Sequence, residues 1–193
     1  MQGLIDLGGL QQGHKVLING AGGGVGTFAI QLAKLCDAEV TGVDNTAKQD
    51  FLQSLGFDHS LDYTAVDFTK RGEMYDLILD TKTNRSPFSY ARALKPGGSY
   101  VTVGGSIPRI IACLLLAPWI RRMHKRSIRV LALKPNKGLP YLLELFEAGK
   151  LMPSMDKPFQ LPELKEAFQR FSAAEHLGKL VISVAGAGVR NSN

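Results

Sequence analysis

The sequence predicts an α/β fold, a doubly wound parallel sheet with helices on both faces. Short apolar, β-branched runs (16–18, 40–43, 77–79, 100–103) alternate with stretches whose apolar residues recur at helical spacing. The runs are apolar at consecutive positions, as strands covered on both faces must be. Glycine and proline punctuate the joints, most densely at 20–26, where five of seven residues are glycine.

The elements follow in order. Residues 2–10 read as the end of a helix closed by Gly8 and Gly9, so the chain begins within an element. Residues 14–19 are the first strand. Residues 24–36 are the first helix, with Val25, Phe28, Ala29, Leu32 and Ala33 on one face. The second strand, 39–44, ends at Asp44. Residues 47–55 form a helix with Phe51, Leu52 and Leu55 inward, stopped by Gly56. A short strand at 59–61, a buried strand at 76–80 and a helix at 87–94 come next. Lys95-Pro96-Gly97-Gly98 reads as the turn into a strand at 99–103, which Gly104 and Gly105 close. Residues 107–123 form a helix with a break expected near Pro118, and 128–133 a further strand. Residues 139–148 form an amphipathic helix ending at Gly149. The tail carries a strand at 158–161, a helix at 162–171, a strand at 179–184 and a frayed end at 185–193.

Composition narrows the class. A chain of 193 residues can bury the core of one domain, with room for an appendage. An apolar share of 45% argues against disorder. The net charge is +6, with Arg121, Arg122, Lys125, Arg126 and Arg129 clustered. That cluster reads as a solvated helix end. Without a nucleic-acid fold or interleaved aromatics, no nucleic-acid partner is expected. Cys36 and Cys113 lie in apolar helical patterns and lack ligand-spaced neighbours, so both read as core thiols in a reducing, cytoplasmic setting, with no metal. No signal peptide is visible. The apolar run 110–120 is too short to cross a bilayer. It reads as a buried or interface helix, and no membrane partner is expected.

The chemistry points to the glycine turn. A strand feeding a helix through glycines leaves backbone N–H groups free at the helix start, which suits a pyrophosphate. Gly22, Gly23, Gly24, Val25 and Gly26 make this cradle. Gly26 packs helix on strand, Gly23 admits the phosphate, and Ala21 stands where the three-glycine fingerprint has its first glycine. The pattern thus predicts a Rossmann-type dinucleotide site, against the plainer reading of a tight turn that binds nothing. Asp44, eighteen residues beyond Gly26, would accept ribose hydroxyls and repel a 2′-phosphate, or cap the next helix. Asn45 and Lys48 follow, and Lys48 could pair with a 2′-phosphate, so NAD(H) and NADP(H) both stay open. Thr81 follows the carboxyl end of the strand at 76–80, where open sheets bind ligands. Gly104 and Gly105 either admit the nicotinamide half or form an ordinary turn. Tyr63 and Lys82 are the polar side chains near this edge. Each reads as a cofactor-positioning or surface residue, and no catalytic residue is assigned.

The run from Val16 to Gly26, with Ala29-Ile30-Gln31-Leu32-Ala33-Lys34, resembles the medium-chain dehydrogenase/reductases in their zinc-independent, quinone-oxidoreductase-like branch. Ser54-Leu55-Gly56-Phe57-Asp58-His59, Tyr75-Asp76-Leu77-Ile78-Leu79-Asp80, Leu94-Lys95-Pro96-Gly97-Gly98 and His176-Leu177-Gly178-Lys179-Leu180 agree in order. The resemblance implies a dinucleotide domain at 1–150 and a return segment at 151–193 that completes a GroES-like catalytic domain, which this chain lacks. It implies hydride transfer between NAD(P)H and a quinone, enone or carbonyl, with no activity from these residues alone and no zinc. It also implies a homodimer through the edge strand at 127–133, from Ser127 to Leu133. Lys82-Thr83 stand where the family often has Val-Gly. Family members of this branch usually take NADPH, whereas Asp44 favours NADH. The glycine turn also fits an S-adenosylmethionine-dependent methyltransferase, although Asn19 replaces the acidic residue usual there. A catalytically silent nucleotide-binding module is the third reading.

Overall fold

The structure is a computed structural model and describes residues 1–184. Six parallel strands form one sheet: β1 (Lys15–Asn19), β2 (Glu39–Asp44), β3 (His59–Asp62), β4 (Tyr75–Asp80), β5 (Leu94–Thr102) and β6 (Ser127–Val130). Their order is β3-β2-β1-β4-β5-β6, so the chain reverses direction across the sheet between β1 and β4. The helices are α1 (Gly26–Lys34), α2 (Gln49–Ser54), α3 (Pro87–Arg92), α4 (Ile107–His124), α5 (Leu139–Glu147) and α6 (Leu164–Ser172). A π-helical turn, Gln2–Leu7, precedes β1. Beyond α5, β7 (Phe159–Gln160) and β8 (Ile182–Ser183) form a separate two-stranded parallel pair.

Strand side chains alternate between two cores. Val16, Ile18, Leu77 and Leu79 face one side, packed with Leu4, Ala29, Ile30 and Leu145. Leu17 and Ile78 face the other, with Tyr90, Tyr100, Cys113 and Ile120. The Gln2–Leu7 turn, α1 and α5 therefore cover one face, and α3 and α4 the other. Full burial of each such aliphatic side chain stabilises by about 1.5–3 kcal/mol. The doubly wound fold expected from the sequence is the one found.

Four local expectations change. Lys95-Pro96-Gly97-Gly98 is not a turn before the strand but part of β5. Leu94 pairs with Tyr75 and Ser99 with Leu77, so the extra residues bulge out. A Cβ at Gly98 would stand 3.0 Å from the Tyr75 carbonyl oxygen, which explains the glycine. Second, α4 runs unbroken through Pro118, and most of its outward side chains are exposed rather than buried. Third, β6 ends at Val130, short of the expected Leu133, although Leu131 N–H still donates to Thr102 O. Fourth, the strand expected at 179–184 shrinks to β8, preceded by single bridges at Gly178 and Lys179. The frayed end expected at 185–193 lies outside the described residues.

Candidate functional site

The carboxyl ends of β1, β4 and β5 meet where the strand order reverses. Asn19 closes β1 and donates from Nδ2 to Asp80 Oδ1 at the end of β4, at 2.8 Å. Gly20 turns the chain with φ +85, a conformation that favours glycine. Thr81 returns to β1, donating from N and Oγ1 to the Asn19 carbonyl.

Part of the turn's hydrogen-bonding capacity is spent internally. Gly20 and Ala21 N–H both donate to Val43 O, and Gly23 N–H donates to Gly20 O. Gly22 N–H donates to Asp44 Oδ2 at 2.9 Å. The free donors expected across the whole turn thus narrow to its end. There α1 begins behind Val25 with no side-chain cap, leaving the N-terminal backbone dipole for a ligand. A Cβ on Gly26 would collide with the backbone of Ala21, so the packing role expected of that glycine stands.

Asp44 is buried, and each of its carboxylate oxygens accepts one backbone N–H. Its Oδ1 accepts from Asn45 N–H at 3.0 Å and lies 3.9 Å from Lys48 Nζ. It does not cap the following helix. Lys48 is folded inward and donates to the His176 carbonyl at 2.8 Å. Burial pulls the Lys48 ammonium below the usual lysine range, with Lys82 and Arg170 adding to that and Asp44 opposing it.

The last segment of the described chain lies over the turn. Gly178 N–H donates to Gly22 O at 2.9 Å, and Gly178 bridges Gly23. Lys179 passes against Gly24, where a Cβ would stand 2.9 Å from Nζ. Asp156 pins this strap, accepting from Arg170 Nε at 2.8 Å and Leu177 N–H at 3.0 Å. His176 stacks on Phe171, with ring centroids 5.0 Å apart. Its Nδ1 and the Asn45 Oδ1 are buried atoms without a hydrogen-bond partner among the described residues. Burial, then Lys48 and Lys82, hold the His176 pKa down.

The cleft over the turn is about 120 Å³ and brings together Gly23, Gly24, Val25, Asp44, Lys48 and Thr81 of the expected residues, with Lys82 and His176 beside them. Asn45 and Tyr63 stand apart, the latter exposed, although Tyr63 N–H donates to Asp44 O. Gly104 and Gly105 pack on Thr83 rather than on the cavity, with Gly104 O accepting from Thr83 Oγ1. Sequence reasoning gave His176, Gly178 and Lys179 no role at the turn. Their one local signal was the Gly-Lys pair after α6. A second, larger cavity of about 600 Å³ opens from Gly24, Val25 and Lys179, with walls from Leu4, Phe28 and Val103. Among the described residues, no three His, Cys, Asp or Glu side chains gather as a metal site.

A six-stranded parallel sheet with a glycine turn at its reversal point defines a dinucleotide-binding α/β domain. A family model described as zinc-binding dehydrogenase matches residues 55–182. The chain belongs to that family, among the medium-chain dehydrogenase/reductases. It is 32% identical over 193 residues to the mitochondrial NAD(P)H oxidoreductase RTN4IP1 of Bos taurus, spanning 89% of this chain and 48% of that protein. It is 33% identical over 190 residues to the spectinabilin polyketide synthase system protein NorB of Streptomyces orinoci, spanning 94% of this chain and 9% of that protein. The quinone oxidoreductase structure from Coxiella burnetii superposes with a TM-score of 0.76 at 28% identity, over 95% of this chain and 56% of that one. The chain thus spans about half of the oxidoreductase relatives and a small part of the synthase.

Proposed function

We propose that this chain is the NAD(P)H-binding portion of a quinone or enone reductase. The observation that carries the reading is the uncapped start of α1 at the sheet's reversal point, with Lys48, Lys82 and Lys179 around it. Three cations and a helix N-terminus suit an anionic dinucleotide. The relatives' names support the reaction class, and family membership sets the methyltransferase reading aside. The bound cofactor would supply the hydride; the chain's residues hold and orient it.

The reading favours NADPH. Asp44 gives both carboxylate oxygens to backbone N–H groups, so Lys48 is the group left to meet a 2′-phosphate once it leaves the His176 carbonyl. A cavity of about 120 Å³ falls below the roughly 300–1,000 Å³ of small-molecule sites, and in this reading the strap over the turn shifts as the cofactor enters. In this reading 1–150 is the cofactor domain and 151–193 the return segment. The open edge of β6 pairs two copies, the protein is cytoplasmic, and no zinc is held.

Titration with NADPH, NADH and S-adenosylmethionine tests the proposal. Tightest binding of NADPH supports it; tightest binding of S-adenosylmethionine, or binding of none, defeats it. No quinone turnover is expected from the chain alone, which spans about half the length of its oxidoreductase relatives.

A further inference from the structure

Helix α4 is apolar on both sides, and the fold covers only one. Cys113 and Ile120 are buried, with Leu116 and Ala117 packed on the same core. Opposite them Ile107, Ile111, Leu114, Leu115 and Trp119 stand exposed, Ile107 at 73% and Leu115 at 74%. Their spacing places them along one stripe. A helix that is apolar all round is normally buried all round, so the outer stripe lacks its cover.

Charge identifies the cover. Between Asp80 and Glu144 the sequence holds twelve Lys or Arg and no Asp or Glu, of which Arg85, Lys95 and Lys137 pair with Asp67, Asp76 and Asp6. Arg121, Arg122 and Lys125 lie at one end of the stripe, all exposed. We propose that α4 docks on an anionic phospholipid bilayer, lying in its surface with the stripe among the acyl chains and the arginines at lipid phosphates. A second copy on this face would set cations against cations. Along residues 110–120 the exposed face offers a protein partner no polar side chain beyond the Trp119 indole. Apolar acyl chains need none, and an indole suits the bilayer interface. The helix lies on the membrane rather than through it, since no described helix is long and apolar enough to cross one. The proposal departs from the expectation of no membrane partner and stands independently of the cofactor reading.

Trp119 is the chain's one tryptophan, so its emission reports on the stripe directly. The 193-residue chain is mixed with vesicles of phosphatidylcholine, with or without phosphatidylglycerol. The expected result is co-sedimentation and a blue shift of Trp119 with the anionic vesicles only. Arg121→Gln with Arg122→Gln should weaken binding about tenfold or more. Leu115→Glu, at an exposed position, should abolish the blue shift while circular dichroism and thermal unfolding stay unchanged. Equal binding to neutral vesicles, or no binding, overturns the proposal. So does a blue shift produced by soluble polyglutamate, which would give the face to an acidic protein, or by concentration-dependent dimerisation without lipid that Leu115→Glu abolishes.

Discussion

Tyr100 donates its hydroxyl to Asp80 Oδ2 across neighbouring strands, at 2.9 Å, in the buried centre of the sheet. The other carboxylate oxygen accepts from Asn19 Nδ2, Lys82 N–H and Thr83 N–H. One carboxylate thus ties the ends of β1, β4 and β5 to the loop that carries Thr81 and Lys82. Burial and the Asp80 charge push the Tyr100 pKa far up, so the phenol stays a donor. Tyr100→Phe leaves Oδ2 without its donor and should cost about 1–3 kcal/mol. Asp80→Ala orphans several buried donors at once and should cost more. Urea unfolding measures both, and an unchanged midpoint in Tyr100→Phe would contradict the assignment.

Lys48 carries the proposed choice between cofactors. Lys48→Met keeps the buried stem but removes the ammonium that would meet a 2′-phosphate. NADPH affinity should fall about tenfold or more, with NADH affinity changing far less. Calorimetry with the two cofactors decides it; parallel losses would show Lys48 to be a structural residue.

Asp156 holds the strap over the glycine turn through Arg170 and Leu177 N–H. If the strap must move, loosening it should speed cofactor entry. Asp156→Ala removes hydrogen bonds to a charged group, each contributing about 1.5–3 kcal/mol. Stopped-flow mixing should show faster association, by about tenfold at most. An unchanged association rate would mean that the cofactor enters without displacing residues 174–179.

The two thiols should separate chemically. Burial, then the charge of Asp80, pushes the Cys113 thiol up to about 11, whereas Cys36 is half-buried. Iodoacetamide at pH 8 should label Cys36 and reach Cys113 only on unfolding. The folded thiol pKa lies above the unfolded value of about 8.5. Its contribution to stability is therefore fully present below pH 8.5 and lost as pH rises toward 11. Cys113→Ala should flatten that alkaline decline in urea midpoints.

The sheet was legible because its evidence is local. Val16–Leu17–Ile18 and Leu77–Ile78–Leu79 are apolar at every position, and the glycines from Gly20 onward mark one joint without ambiguity. The bulge at Lys95–Gly98 was hidden because Pro96 and Gly97 carry turn chemistry wherever they stand. The hydrogen bond from Gly22 to Asp44 was hidden too, since Gly22 becomes a neighbour only after β1 and β2 pair. Lys179 lies more than 150 residues from Gly24 in sequence, and no periodicity links them. For α4, composition implied burial, but which elements reach its outer stripe depends on tertiary structure.

The reversal point has a consequence in time. Asn19 and Asp80 touch across 61 residues of sequence. At the ribosome's roughly 5–20 residues per second, β1 waits several seconds for β4 after it has been made. The glycine turn cannot take its final shape before then, since Thr81 is one of its walls. In the proposed reading, affinity for a dinucleotide is thus a property acquired only when the central strands have closed, and it can serve as a timer of folding during synthesis.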